Sequence, residues 1–352
     1  MVKIGIRPNI RAVIIAVMAF AVAMSPLTAT AQAQTNRNSK SINNSTNVLK
    51  ISPVRTDIQI KPGETKTVRT VVTNLTSSAI TVRPIQNDFI AGDESGTPAL
   101  ILDADKKAPT HSLKQYMKPL SDVTIAANKS EAVIVTLAVP ASAQAGGYFG
   151  AVRFAPTDPN GGGQVNLNAS VASLILMTVP GETVEKVDLT DFSIKQDGVA
   201  GSFFQKSENL SASVRFQNKG NLQAGPLGKI SVKNGDKVVY EADFNNKDPK
   251  DVILPDSARK WEVPLKNISG FGNYTVSATF TYGTKNQTIE VERSFWVVPL
   301  GYIIAAVVGL IVLVLLGVGI WLFLRGYKKR VLRKHTQSTS TENTHTPLNE
   351  QK

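Results

Sequence analysis

From Leu49 to Val298 the chain alternates apolar and polar positions in short runs, recurring roughly every eight to fifteen residues. Turn chemistry separates the runs: KPGE at 61–64, GDESG at 92–96 and KNGD at 233–236. In EAVIVTLAVP the residues Val133, Val135, Leu137 and Val139 fall on one face. In NYTVSATFTYG, Tyr274, Val276, Ala278, Phe280 and Tyr282 oppose Thr275, Ser277, Thr279 and Thr281. A period of two places one face on a core and the other toward water, the signature of half-buried antiparallel strands. Helical periodicity is nearly missing here, HSLKQYM at 111–117 having room for a turn or two. Many short strands without intervening helices predict an all-β fold of two immunoglobulin-like β-sandwich domains, residues 48–180 and 183–298, stacked end to end.

AGGYFGAVRF at 145–154 poses a choice between a phosphate-binding loop and a strand. A phosphate loop must open a helix, because the anion sits on the unpaired N–H groups at a helix N-terminus. Here a β-branched residue, an aromatic and then Pro156 follow, and proline forbids continuation. The strand reading therefore holds, with Tyr148, Gly150, Val152 and Phe154 on one face and Phe149, Ala151 and Arg153 on the other. Gly146 and Gly147 supply a bend, and Gly150 leaves room for a bulky neighbour on the facing sheet.

Two stretches break the alternation. Near the N-terminus, Lys3, Arg7 and Arg11 precede the charge-free AVIIAVMAFAVAM, and the small residues of ATAQAQ then offer a cleavage site. An apolar run of about 13 residues is too short to span a bilayer, so residues 1–33 read as an export signal and the polar residues 34–47 as a disordered spacer. Residues 299–324 carry no charge and are long enough for a transmembrane helix. RGYKKRVLRK follows directly, and Trp296, Tyr302, Trp321 and Tyr327 flank the span. Basic residues after a span and aromatics at its ends predict a single-pass membrane protein with its ectodomain outside and residues 325–352 as a basic cytoplasmic tail. DPNGGG at 158–163 reads as a loop within the first domain.

Composition changes little in this reading. The net charge of +12 is mostly topogenic, about +3 in the signal and about +5 from Arg325 onward, leaving no basic domain for nucleic acid. The absence of cysteine fits a bacterial surface protein better than a disulfide-stapled animal ectodomain. Of three histidines only His111 falls in the ectodomain, in a polar stretch that reads as a solvated turn. Serine-histidine, thiol and histidine-metal chemistry are thus poorly supplied, and no catalytic residue, cofactor or metal site is expected. Asp103 with Asp105, and Asp188 with Asp191, are the carboxylate pairs an acid/base enzyme would need, yet Asp near turns commonly serves local hydrogen bonding. Asn74, Asn218, Gly220 and Asn221 are assigned to turn geometry, Trp261 to the core of its strand and Trp296 to the membrane interface. Gly301, Ala305 and Gly309 recur every fourth residue in the span, with Gly317 continuing the row, a face on which two helices could approach closely and form a weak homodimer.

ISPVRTDIQIKPGETKTVRTVVTNLTSSAITVRP together with KPLSDVTIAANKSEAVIVTLAVPASAQAGGYFGAVRF resembles the first domain of the Gram-positive WxL-interacting surface-protein family. VRFQNKGNLQAGP, VILPDSARKWEVPL and GNYTVSATFTYG with FWVVP are similar to bacterial immunoglobulin-like modules that precede membrane anchors. The resemblance implies a cell-surface protein whose first domain contacts peptidoglycan and whose domains bind other surface proteins. The function expected is non-enzymatic binding or structure at the cell surface. The alternatives are a carboxylate-dependent glycan hydrolase and a transmembrane signalling component, the latter opposed by a tail too polar to fold.

Overall fold

The computed structural model describes residues 48–103, 105–157 and 170–338, with side chains described up to Tyr327. The proposed signal, the spacer, DPNGGG and the end of the tail lie outside the described residues.

The first sandwich contains β1 (Leu49–Ser52), β2 (Arg55–Gln59), β3 (Thr65–Asn74), β4 (Ile80–Ala91), β5 (Pro98–Leu100), β6 (Val123–Ile125), β7 (Ser130–Ala138), β8 (Gly146–Pro156) and β9 (Val171–Val179). One sheet runs β1-β3-β7 and the other β2-β9-β8-β4-β5, with β6 added to β4. Pairing is antiparallel except between β2 and β9, which run parallel. The alternation seen in β7 is realised: Val133, Val135, Leu137 and Val139 are all buried, facing Val152, Phe154, Ile175 and Met177 of the opposite sheet. A single 3₁₀ turn, Lys114–Tyr116, occupies the HSLKQYM stretch.

The second sandwich contains β10 (Val187–Gln196), β11 (Val199–Ala200), β12 (Phe203–Phe204), β13 (Leu210–Asn218), β14 (Leu227–Asn234), β15 (Lys237–Phe244), β16 (Ala258–Pro264), β17 (Gly272–Tyr282) and β18 (Gln287–Val297). Its sheets are ordered β11-β10-β13-β16 and β12-β18-β17-β14-β15. The five apolar positions of β17 point into the core, where Phe216, Phe244 and Phe280 meet edge to face with centroids 4.9–6.2 Å apart. Such aromatic contacts each add roughly 1 kcal/mol beyond burial, so this trio anchors the second core. Trp261 packs edge-on against Phe216 and Phe244 from the rim, half-buried rather than central, with the Arg259 guanidinium 5.0 Å from its ring.

Val298 and Pro299 alone separate β18 from α1 (Leu300–Ser338). Its stretch Leu300–Tyr327 has a mean hydropathy of 3.1 and none of it is buried against the sandwiches. Twenty-eight residues make a helix about 42 Å long, more than the roughly 30 Å of a hydrocarbon core, so it is apolar and long enough to cross a bilayer with tilt.

Candidate functional site

The two sandwiches meet across the face of a sheet, not tip to tip as stacked domains would. Strand β8 alternates as its sequence suggests, yet both of its faces are buried. Tyr148, Val152 and Phe154 enter the first core. Phe149 and Ala151, on the other side, join Phe89 of β4 and Leu176 of β9 in an apolar cluster covered by Val252 and Leu254. Those last two lie between β15 and β16, so the second sandwich supplies the cover. Gly150 is needed for a reason other than the facing sheet: a Cβ there would come 2.8 Å from Met117 Cε and 2.9 Å from Leu113 Cβ, side chains flanking the 3₁₀ turn. At Gly147 a Cβ would lie 2.7 Å both from Gln223 Oε1 of the second sandwich and from Phe149 Cζ of its own strand.

Polar contacts ring the cluster. Gly147 N–H donates to the Asn221 carbonyl at 2.8 Å, Asn221 Nδ2 donates to the Ala145 carbonyl at 3.2 Å, and Asn221 Oδ1 accepts from the Val184 N–H at 2.8 Å. Asn221 thus ties together the first sandwich, the linker and the second. Gln223 Nε2 reaches Thr178 Oγ1 at 3.1 Å, and Arg55 Nη1 reaches the Lys250 carbonyl at 2.8 Å. On the far side Arg215 grips Glu94 with Nη2 at 2.6 Å from Oε1 and Nε at 3.0 Å from Oε2, while the Lys260 N–H donates to the Glu94 carbonyl at 2.7 Å. The Arg215 hydrogen bond, helped by the charges of Arg215 and Lys260, holds the Glu94 carboxyl below its ordinary range against the opposing effect of burial. A bidentate arginine–carboxylate pair fixes orientation as well as distance, so the seam is a specific junction.

Two hollows border it. A cavity of about 150 Å³ lies between Arg55, Phe89, Pro98, Val252, Leu254 and Arg259. Its cations are already engaged, Arg55 by Asp57 at 2.8 Å and Arg259 by Asp251 at 3.0 Å. Burial works to raise the Asp251 carboxyl, but the Lys247 hydrogen bond and the charges of Arg259 and Lys247 outweigh it and hold the group low. A larger open hollow of about 550 Å³ is edged by His111, Gln115, Tyr116, Gln144, Tyr148 and Asn221. His111 is not the solvated turn its surroundings in the sequence suggest. It adopts φ +59°, sets Nδ1 2.6 Å from the Gly147 carbonyl and packs its half-buried ring on Tyr148 and Phe149. Tyr148 donates its hydroxyl to the Gln144 carbonyl at 2.8 Å, and burial pushes its ionisation far above the ordinary tyrosine range. It serves as a neutral donor with an edge-on Tyr116 partner 5.1 Å away.

The carboxylate pairs do not converge. Asp103 Oδ1 accepts the Asp105 N–H at 3.0 Å in a local turn. Asp188 binds Lys219 at 2.7 Å, and Asp191 accepts from the Ser193 hydroxyl at 2.9 Å. Asn74 and Asn218 are buried hydrogen-bonding hubs and lie outside the left-handed backbone region invoked for turn asparagines. Asn74 Nδ2 donates to the carbonyls of Ser78 and Ile125 at 2.7 and 3.1 Å, while Oδ1 accepts from the Thr76 N–H at 2.9 Å. Asn218 Nδ2 donates to Leu222 and Ile253 at 2.7 and 2.9 Å, and its Oδ1 accepts from the Gly220 N–H at 2.9 Å. The same device closes the equivalent strand end in both sandwiches. Sequence reasoning passed over Glu94, Arg215 and the linking role of Asn221; only the recurrence of a strand-final asparagine in VVTNLTSS and RFQNKGNL hinted at the hubs. Gly301, Ala305, Gly309 and Gly317 lie exposed on α1, with open space where a Cβ on any of the three glycines would point.

No family model matches the chain, and no curated protein matches it. Among solved structures, the class 5 fimbriae chaperone CfaA is similar at 14% identity and a TM-score of 0.36, over 71% of this chain and 99% of that one. The E. coli chaperone DraB is similar at 13% identity and TM-score 0.30, over 71% of this chain and 96% of its own. The Pseudomonas aeruginosa CupB2 chaperone is similar at 9% identity and TM-score 0.30, over 69% and 99% respectively. The resemblance to the WxL-interacting surface-protein family is thereby corrected: no family model matches the chain, and the three similar structures named above are fimbrial chaperones. The turn and strand signatures that suggested that family belong to immunoglobulin-like sandwiches generally.

Proposed function

We propose that this chain is a membrane-anchored, non-enzymatic binding protein of a bacterial surface, its two sandwiches facing outward and its tail facing the cytoplasm. The observation that carries the reading is the direct run from β18 into an apolar helix of bilayer-spanning length, with Val298 and Pro299 alone between them. The basic cluster after Leu324 supports the orientation, because cytoplasmic flanks retain lysine and arginine. The seam supports a binding role: a first sandwich locked to the second presents its remaining surface in a fixed pose, which lowers the ordering cost of recognition.

Recognition is assigned to backbone pairing at a sheet edge. Strand β7 borders its sheet; Met117 and Lys118 cover its far end, the Lys118 N–H donating to the Thr136 carbonyl at 2.9 Å, whereas Ile134 stands 48% exposed, so an extended segment of another surface protein could add along Ser130–Ile134 through main-chain hydrogen bonds. Removing residues 299–327 tests the anchor: the shortened protein is expected in the culture medium, and its retention in the membrane fraction would overturn the reading. For the partner, crosslinked cells and a peptidoglycan sedimentation assay are run side by side with Ile134→Asp. Capture of a surface protein that this substitution abolishes supports edge pairing; unaltered capture, or wall sedimentation alone, contradicts it.

A further inference from the structure

The end of the second sandwich nearest α1 carries aromatic side chains that the protein leaves uncovered. Phe203 is 70% exposed although its neighbour Phe204 is buried, and Phe271, the last residue before β17, is 53% exposed. The two belong to one surface. Phe203 is the register partner of Trp296 in the short parallel pair of β12 with β18, held by hydrogen bonds from the Trp296 N–H to the Ser202 carbonyl and from the Val298 N–H to the Phe204 carbonyl at 2.7 and 2.8 Å. Phe271 lies 6.0 Å from Trp296 and 5.8 Å from Tyr302, which stands in the first turn of α1. Four aromatics, from β12, the β16–β17 loop, β18 and α1, therefore form one patch at the point where the apolar segment begins.

The geometry points to this patch as a lipid-interface seat: Phe203, Phe271, Trp296 and Tyr302 rest together in the headgroup–acyl boundary and hold the second sandwich against the membrane. The inference rests on the reading of α1 as a span. Its support is continuity. Trp296 and Phe271 cannot be far from a bilayer that α1 enters, since Val298 and Pro299 bridge only a few ångströms. Trp296 and Tyr302 are favoured at that depth, where an apolar body and a polar edge are both accommodated, and Phe203 and Phe271 bury their apolar rings beside them. Large phenylalanines left together in water would otherwise be an aggregation liability. A sandwich seated in this way cannot swing freely about Pro299, so the hollows and edges of the ectodomain are presented at a fixed height and tilt.

The chain contains no cysteine, so single spin labels can be placed without background. Full-length protein in phosphatidylcholine–phosphatidylglycerol nanodiscs is labelled at Ser202→Cys, Ser269→Cys, Lys285→Cys or Leu313→Cys, and the collision rates with oxygen and with a water-soluble nickel chelate are compared. Lys285 lies in the hairpin between β17 and β18, at the opposite end of the sheet from the patch. A lipid-like ratio at Leu313, Ser202 and Ser269 with a water-like ratio at Lys285 is expected, the three lipid sites exceeding Lys285 several-fold. Adding Phe203→Asp with Phe271→Asp should return Ser202 and Ser269 to the water-like ratio and leave Leu313 unchanged. Lipid-like Leu313 with water-like Ser202 and Ser269 in the unsubstituted aromatics overturns the seat and keeps the span. Water-like Leu313 overturns the span itself. Dipolar broadening between labels at Ser202 that persists with Gly309→Leu in α1 would overturn the seat by assigning the patch to a second copy.

Discussion

Replacing Asn218 by alanine is expected to cost the second sandwich about 2–4 kcal/mol. Three hydrogen bonds disappear with it. The Ile253 carbonyl keeps a second donor, the Ala224 N–H at 3.0 Å, and so suffers least. The Leu222 carbonyl and the Gly220 N–H lose the bonds that Asn218 supplies, and each stranded group costs about 1–3 kcal/mol. Partial hydration of the Leu222 side of the turn, where the residue is half-buried, places the sum in the lower part of that range. All three tryptophans fall in the second sandwich or α1, so tryptophan emission during urea unfolding in detergent micelles follows this domain. With an m-value of about 2 kcal/mol per molar, the midpoint should fall by roughly 1–2 M. Asn218→Asp should not rescue the loss, because it keeps the acceptor for Gly220 but turns a carboxylate toward the Leu222 and Ile253 carbonyls. A midpoint within about 0.2 M of the parent for Asn218→Ala would show that the buried hub does not stabilise the strand end, and the account of both asparagines would fall.

Acid should loosen the seam: Glu94 is held low by Arg215, so its contribution is full above the unfolded-state carboxylate range near pH 4.3 and fades as pH falls through the folded value. Protection factors at residues 252–254, exchange rates being referred to the intrinsic rate at each pH, should therefore fall on acidification below about pH 4, and Glu94→Gln should show that lower protection already at pH 7; protection in the parent that does not change with pH contradicts the linkage. Gly150→Val should destabilise the first sandwich by at least about 1–3 kcal/mol through collision with Met117 and Leu113, read by thermal unfolding, and an unchanged Tm refutes the close packing. Gly309→Leu should weaken self-association of α1 in a membrane reporter if Gly301, Ala305 and Gly309 form a contact face, and unchanged association removes that face from consideration.

Strand alternation was legible because a period of two is local: the apolar sets of β7 and β17 read directly as core faces, and both are buried. The strand nature of AGGYFGAVRF was equally legible from Pro156 and the β-branched residues that follow the glycines. Burial of its second face was not, since Val252 and Leu254 come from about a hundred residues downstream and fold over Phe149 only in three dimensions. Glu94 and Arg215 stand 121 positions apart, each in an ordinary-looking turn or strand, and nothing local marks them as partners. His111 illustrates the same limit: polar neighbours in sequence suggested water, whereas its actual neighbours are Tyr148 and Phe149. The family resemblance failed for a related reason. Pro-Gly turns, strand-final asparagines and glycine–aromatic strands satisfy the needs of sandwich geometry, and those needs are shared by proteins with unrelated partners.

The account stands most directly on which side of the membrane each end of α1 lies. Intact cells expressing full-length protein with Lys285→Cys or Gln351→Cys, treated with a membrane-impermeant maleimide, separate the outcomes. Labelling of Lys285→Cys on intact cells, with Gln351→Cys reacting only after permeabilisation, is the result predicted. Protection of Lys285→Cys on intact cells, or equal labelling of both positions, would contradict it.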